Sequence, residues 1–265
     1  ENTSVKWLHA FGSDFGQAGG EAMASMLGQN KTLETLEIGN LMVGCKVKLK
    51  SSGEVKVVTS KAGDVDIKVE GDGSRIKPSD FDAIPTVLPL KQLRENAITE
   101  LNLGSSGLGV DGGLMLAAAL EGNSSVQVLN ASKNSMGTAG AKAFGEMLQA
   151  NKTLTSLDVS DNSFGKLQIG DSVKLLSSGQ MCKVHGFDAG ENNRPCLTLP
   201  NGSTKDDVKP SEFEWENCVP AFAAGLAANA SLSSVSNVLV QKKVAPVVCV
   251  PKSSLTPHPS ILSPA

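Results

Sequence analysis

Three glycines near the middle of the chain have a spacing that could support nucleotide chemistry. Gly107, Gly109 and Gly112 match the pattern G-x-G-x-x-G, whose glycines bring a pyrophosphate to a helix N-terminus in dinucleotide-binding domains. The second and third glycines have counterparts elsewhere in the chain, at Gly137 and Gly140 and at Gly16 and Gly19. Only Gly107 is additional, so a repeated structural element explains the match better than a nucleotide site.

A second group of residues could coordinate a metal ion. Cys182, His185 and Cys196 lie close together in the sequence, and a fourth ligand would be Asp188 or a residue from elsewhere. Side chains alternate along an extended strand, so residues 182 and 185 are expected to point to opposite faces. The sequence therefore favours a core cysteine beside a surface histidine, and we expect neither a metal nor another cofactor.

Residues for catalysis are scarce. The chain has three histidines, His9, His185 and His258, and it contains neither a nucleophile-elbow motif nor an HExxH motif. We therefore expect that the protein is not an enzyme.

The elements that carry these residues repeat. A six-residue phrase with apolar residues at its first, fourth and sixth positions begins at residues 98, 126 and 154, a spacing of 28 residues. The same phrase begins at residues 5 and 33 and, more weakly, at 232. Such a fixed period indicates a repeat architecture. Two wider spacings contain similar guest segments, GCKVKLKSSGEVKVV from residue 44 and GDSVKLLSSGQMCKV from residue 170.

A helical phrase follows each strand phrase. Residues 15–30, 108–123 and 136–151 are rich in Ala, Leu and Met at helical spacing, and each segment ends in Asn. Asn tolerates the left-handed conformation that commonly ends helices, so we expect that conformation at Asn30, Asn123 and Asn151.

One short strand and one helix in every 28 residues resemble the leucine-rich repeat of the ribonuclease-inhibitor type. Asn134 and Asn162 fill the asparagine position of that family's pattern, and the resemblance covers roughly 1–41, 97–165 and 217–229. It implies an α/β leucine-rich-repeat solenoid, with parallel strands inside and helices outside. An ordinary parallel α/β sheet is the alternative.

The guest segments alternate between apolar and polar residues with a period of two, which indicates short antiparallel strands. Their form resembles small all-β SH3-like barrels of the Tudor and KOW kind. We therefore expect leucine-rich repeats at 1–41 and 89–165, SH3-like insertions at 42–88 and 166–215, and a terminal repeat at 216–240. Residues 241–265 contain five prolines and no acidic residue, which predicts a disordered tail or non-native coding sequence. The start in mid-repeat suggests a fragment of a longer chain.

In such a solenoid, the residues between the core leucines would line an exposed concave face. The partner-binding residues expected there are Trp7, His9, Phe11, Glu37, Glu100, Asn102 and Asp158. Trp and Phe are effective binding anchors, and the carboxylates would favour a basic protein partner. Alternatively, Trp7 and Phe11 pack against an earlier repeat.

Charge and composition narrow the remaining classes. The chain has 24 Lys and Arg against 27 Asp and Glu, and neither insertion is a basic patch, which disfavours nucleic acid. No apolar run is long enough to span a membrane, and five widely spaced cysteines fit a reducing, cytoplasmic compartment. The sequence thus predicts a non-catalytic protein-interaction scaffold. The alternatives are a regulator of an enzyme such as a GTPase, and nucleic-acid binding through the insertions.

Overall fold

The computed structural model describes residues 3–43, 45–62, 66–167, 171–188, 194–215 and 219–236. In chain order, the strands are β1 Trp7–His9, β2 Thr35–Ile38, β3 Lys46–Leu49, β4 Val55–Ala62, β5 Asp66–Val69, β6 Asp72–Ile76, β7 Phe81–Ala83, β8 Thr86–Leu88, β9 Glu100–Asn102, β10 Val128–Asn130, β11 Ser156–Asp158, β12 Ser172–Leu175, β13 Met181–Phe187, β14 Pro195–Thr198, β15 Thr204–Lys205, β16 Phe213–Trp215 and β17 Ser234–Ser236. The helices are α1 Gly16–Gln29, α2 Leu90–Arg94, α3 Gly109–Glu121, α4 Gly137–Ala150 and α5 Val219–Ala228, with one-turn 3-10 helices at Pro78–Asp80 and Pro210–Glu212.

The strands of the repeated phrase form two small sheets. In the first, β1 pairs with β2 in parallel, and β8 pairs with the other edge of β2 in antiparallel orientation. In the second, β9, β10, β11 and β17 lie side by side in parallel. Leu101, Leu129 and Leu157 stand opposite one another in this sheet. The 28-residue spacing of the sequence is therefore the cross-strand register of the second sheet.

The prediction of one continuous parallel-strand solenoid is wrong. The described strands are divided among four sheets, and most of their pairings are antiparallel. The break has a local cause: β8 returns antiparallel to β2 and occupies the edge at which the next parallel strand would pair. The strand β9 then begins a separate sheet. The sequence assigned residues 86–88 to the first insertion, whereas they form β8 of the first small sheet.

A common apolar core lies beneath the two small sheets. The helices α1, α3, α4 and α5 pack side by side in that order and contribute to this core. They are helical because Ala, Leu and Met recur at helical spacing and bury one face. The large side chains that are fully buried in this common core include Leu36, Ile38, Leu88, Leu93, Leu108, Met115, Leu116, Leu120, Leu129, Phe144 and Phe222.

Two glycines allow α4 and α5 to approach closely. A Cβ atom placed on Gly145 would lie 2.4 Å from the carbonyl oxygen of Ala221, and one placed on Gly225 would lie 2.2 Å from the carbonyl oxygen of Gly145. No side chain fits at either distance, so this helix contact requires glycine at both positions.

Buried asparagines connect consecutive repeats. The Nδ2 atom of Asn151 donates to the carbonyl oxygens of Leu120 and Asn123, at 2.8 and 3.0 Å. The Oδ1 atom of Asn151 accepts from the backbone N–H groups of Thr153 and Leu154. Such bonds satisfy polar groups that would otherwise be buried without partners.

The predicted left-handed helix ends are wrong at Asn30, Asn123 and Asn151, none of which has a positive φ. Asn30 and Asn151 have extended backbones, with φ of −73° and −71°. Their side chains instead accept hydrogen bonds from the following backbone, so Asn is required here for its amide group rather than for its backbone tolerance.

The two insertions fold into five-stranded antiparallel sheets with equivalent strand orders. These orders are β6-β5-β4-β3-β7 and β15-β14-β13-β12-β16. Each sheet has its own apolar core, in which Phe81 and Phe213 are buried. Among the described strands, the two edge strands of each sheet do not pair with each other: β6 is not paired with β7, and β15 is not paired with β16. The predicted closure into SH3-like barrels is therefore not confirmed.

Two further sequence predictions concern membranes and the C-terminal tail. No helix in the part of the chain that the structure describes is long and apolar enough to cross a membrane. The predicted disordered tail at 241–265 lies outside the described residues.

Candidate functional site

The exposed face of the first small sheet brings three of the predicted binding residues together. Trp7 is 59% exposed, and its ring centroid lies 6.3 Å from that of His9. The cross-strand register places His9 beside Glu37 and Glu37 beside Val87, which is 45% exposed. The face therefore carries an indole and an isopropyl group on either side of a polar pair.

That polar pair is a close contact. His9 Nδ1 lies 2.5 Å from Glu37 Oε2, and the Glu37 side chain is less exposed than that of His9. Glu34, which precedes β2, lies 3.3 Å from Lys6 and 4.0 Å from Lys91. The carboxylates of Glu34 and Glu37 therefore both have partners within the protein. The first small sheet offers less free negative charge than its sequence suggests.

Phe11 has a different environment from Trp7. It lies in the turn after β1 and is half-buried. Trp7 is consequently the more accessible of the two predicted aromatic anchors.

The other predicted binding residues lie on the second small sheet. Glu100 is exposed at the start of β9, opposite Val128, which is 39% exposed. Asn102 and Asp158 flank Asn130 in the next row. The structure therefore divides the predicted binding residues between two sheets rather than placing them on one continuous face.

Asn102 and Asp158 have local structural roles. Together with Asn130, each accepts a hydrogen bond through Oδ1 from the backbone N–H group two residues later. The pairs are Asn102 with Gly104 at 3.1 Å, Asn130 with Ser132 at 3.0 Å, and Asp158 with Ser160 at 3.0 Å. In these turns Ser105, Lys133 and Asp161 have φ of +54° to +56°, a region that is uncommon for non-glycine residues. We therefore assign Asn102 and Asp158 first to holding the turns.

The G-x-G-x-x-G glycines also have structural roles. Gly107 and Gly109 have φ of +65° and +68°, and Gly137 repeats that conformation at +62°. A Cβ atom on Gly107 would lie 2.7 Å from Cys45 Cβ and 2.8 Å from the carbonyl oxygen of Asn40. The additional glycine thus admits the first insertion against the second small sheet.

Two buried titratable groups lie close to this junction. Burial raises the pKa of the Cys45 thiol, so the neutral thiol is favoured in the core of the first inserted sheet. Burial also raises the pKa of Asp111, whose Oδ2 accepts a hydrogen bond from the backbone N–H group of Phe15 at 3.3 Å. Both groups are held inside contacts between elements and are not presented to solvent.

The structure separates the three residues that the sequence offered as metal ligands, Cys182, His185 and Cys196. Cys182 is buried in the core of the second inserted sheet, whereas His185 is exposed on the other face, as alternation predicts. Cys196 lies near His185, and Asp206 completes a cluster whose ligand atoms are within 4.8 Å of one another. The sequence analysis missed Asp206, because only the pairing of β14 with β15 brings it beside Cys196.

A cleft of about 650 Å³ lies between the helices and the second inserted sheet. Its lining includes Glu21 and Glu146 from the helices, and Lys174, Met181, Glu214 and Trp215 from the sheet. Lys174 Nζ lies 2.8 Å from Glu214 Oε1, and this hydrogen bond raises the pKa of the lysine. Sequence reasoning could not find this cleft, because no local pattern encodes contact between an insertion and distant helices.

Comparison with known proteins identifies one short segment. Residues 150–166 match the family model described as Leucine Rich repeat. This match covers the end of α4, the strand β11 and the turn after it. No curated protein and no solved structure matches the chain significantly.

Proposed function

We propose that this protein is a non-catalytic protein-interaction scaffold, and that the exposed face of the first small sheet holds its partner. The single observation that carries the proposal is Trp7, a large aromatic side chain that is 59% exposed on a regular strand. Trp is one of the residue types most enriched among those that dominate binding energy at interfaces. The leucine-rich-repeat match at 150–166 supports a protein-interaction role in general.

The surroundings of Trp7 fit a partner with an apolar anchor and a few polar groups. Val5 and Val87 are 42% and 45% exposed, and they lie before β1 and on β8 respectively. Between the strands, the His9–Glu37 pair offers a carboxylate that is already partly satisfied. The partner is therefore expected to be anchored mainly by apolar contact with Trp7, and a preference for basic partners has less support on this face.

Replacing Trp7 by Ala is expected to weaken partner binding by about 2 kcal/mol, or roughly thirtyfold in Kd. The partner is first captured from lysate of the source cells and identified by mass spectrometry, and its Kd is then measured by calorimetry. Because Trp7 is exposed on its strand, we expect the variant to unfold at the same urea concentration as the parent chain. Met181→Ala is the matched control, since Met181 is 55% exposed and lies on the second inserted sheet beside the cleft.

Two outcomes would contradict this assignment. Equal affinity of the Trp7 variant and the parent would exclude the first sheet as the binding face, and a loss in Met181→Ala alone would move the site to the cleft. Capture that disappears with nuclease or at high salt would favour the nucleic-acid alternative. Stimulated nucleotide hydrolysis by a captured GTPase would favour the regulator alternative.

A further inference from the structure

The cluster of His185, Cys196 and Asp206 lies on the outer face of the second inserted sheet. Its members come from β13, from β14 and from the residue immediately after β15. His185 Nε2 lies 3.8 Å from Asp206 Oδ1, and all the ligand atoms are within 4.8 Å of one another. Two ligands of a tetrahedral zinc ion are separated by about 3.3–3.8 Å, so small side-chain rotations would close the cluster on a metal.

His185 lies at a β-bulge of the second inserted sheet. Between β13 and β14, Val184 pairs with Leu197 and Gly186 pairs with Cys196, which leaves His185 as the extra residue of the bulge. His185 nevertheless keeps the outward position that alternation along β13 gives it, and its ring lies close to the Cys196 side chain.

Neighbouring residues hold two of the three ligands in position. Thr198 Oγ1 lies 3.1 Å from His185 Nδ1, so the hydroxyl oxygen can accept a hydrogen bond from the Nδ1–H group and leave the Nε2 lone pair facing Asp206. Arg194 donates to Asp207 Oδ1 at 2.9 Å, which holds the backbone next to Asp206. Contacts of this kind orient the ligands of protein metal sites.

We propose that His185, Cys196 and Asp206 form a binding site for a zinc-type divalent cation. One nitrogen, one thiolate sulfur and one carboxylate oxygen make a mixed donor set that suits borderline metals such as zinc. Binding replaces the thiol proton of Cys196, which leaves to solvent, and water occupies the fourth position. The bound ion would join the two-residue strand β15 to the centre of the sheet.

The first inserted sheet supplies an internal comparison. Its β4 has a bulge at the equivalent place, between Val58 and Ser60, so Thr59 corresponds to His185. The residue that pairs beyond the bulge is Lys68, which corresponds to Cys196. The first inserted sheet thus has the same backbone arrangement but no metal ligand at these two positions. The donor set is therefore specific to the second inserted sheet.

Cobalt titration of the full chain, with any purification tag removed, tests the site. Co²⁺ bound to a thiolate gives a charge-transfer absorption band, and we expect this band to saturate at one equivalent and to disappear when Zn²⁺ is added. The double variant His185→Thr, Cys196→Lys introduces the residue types found at the corresponding positions of the first inserted sheet, Thr59 and Lys68. We expect this variant to show no band. His185→Gln retains every thiol of the chain and is expected to bind Co²⁺ at least about tenfold more weakly.

Two controls make the result decisive. Cys182→Ala removes a thiol that is buried on the opposite face, and we expect it to retain the band. Thr198→Val removes only the group that orients His185, and it is expected to weaken binding by about tenfold. A chain without the band, or a band that survives unchanged in the double variant, would overturn the proposal. Circular dichroism of each variant tests whether the substitution leaves the fold intact.

Discussion

Replacing Leu157 by Ala is expected to lower the free energy of unfolding by about 2–5 kcal/mol. Leu157 is 1% exposed, and it stands in β11 between Leu129 of β10 and Val235 of β17. Truncation would remove apolar contacts and leave a cavity that three parallel strands cannot collapse to fill. Urea denaturation followed by circular dichroism measures the change.

The matched control for this substitution is Leu176→Ala. Leu176 follows the last residue of β12 and, unlike Leu157, is 54% exposed. A surface truncation of this kind is expected to change stability by less than about 0.5 kcal/mol. If the two variants had equal stability, the assignment of Leu157 to the common core would be wrong.

Gly145→Ala is expected to loosen the contact between α4 and α5 and to cost about 1–3 kcal/mol or more. The added Cβ would lie 2.4 Å from the carbonyl oxygen of Ala221, and this backbone oxygen cannot move unless the whole helix moves. Hydrogen exchange measured by mass spectrometry should show faster exchange in α5 than in the parent, together with a lower unfolding midpoint.

Gly28→Ala is the matched control, and it is expected to change stability in the opposite direction. Gly28 is also inside a helix, but a Cβ placed on it would meet nothing within 4 Å. Alanine is favoured over glycine in helices by about 0.5–1 kcal/mol, so this variant should be slightly more stable than the parent.

For Gly145→Ala, hydrogen exchange in α5 that is no faster than in the parent would show that α4 and α5 do not pack as described.

The sequence predicted where the elements lie better than how the strands pair. The 28-residue period placed β9, β10 and β11 and the helices α3 and α4, because apolar spacing is a local property. It did not predict the antiparallel return of β8 against β2. That pairing joins residues on either side of an insertion, and no periodic signal in residues 86–88 distinguishes it from the end of the insertion.

The candidate binding face was predictable only in part. An exposed Trp7 follows from its place between the apolar positions Val5 and Leu8 of the repeated phrase, and the structure places it in solvent. The turn-holding roles of Asn102 and Asp158 depend on the backbone that follows each strand, so residue type alone did not separate them from binding residues. Asp206 joins its cluster through sheet pairing, which the spacing of Cys182, His185 and Cys196 does not encode.

The contacts that close the chain beyond the second insertion have a consequence for chain connectivity. Asn229 Nδ2 donates to the carbonyl oxygens of Leu148 and Asn151, and Ser231 Oγ donates to that of Leu154. These bonds and the α4–α5 contact hold both ends of the insertion in place without its help. A polypeptide cut once in the turn at residues 176–179 is therefore expected to keep its two pieces together, which makes the turn a natural split point for fragment complementation.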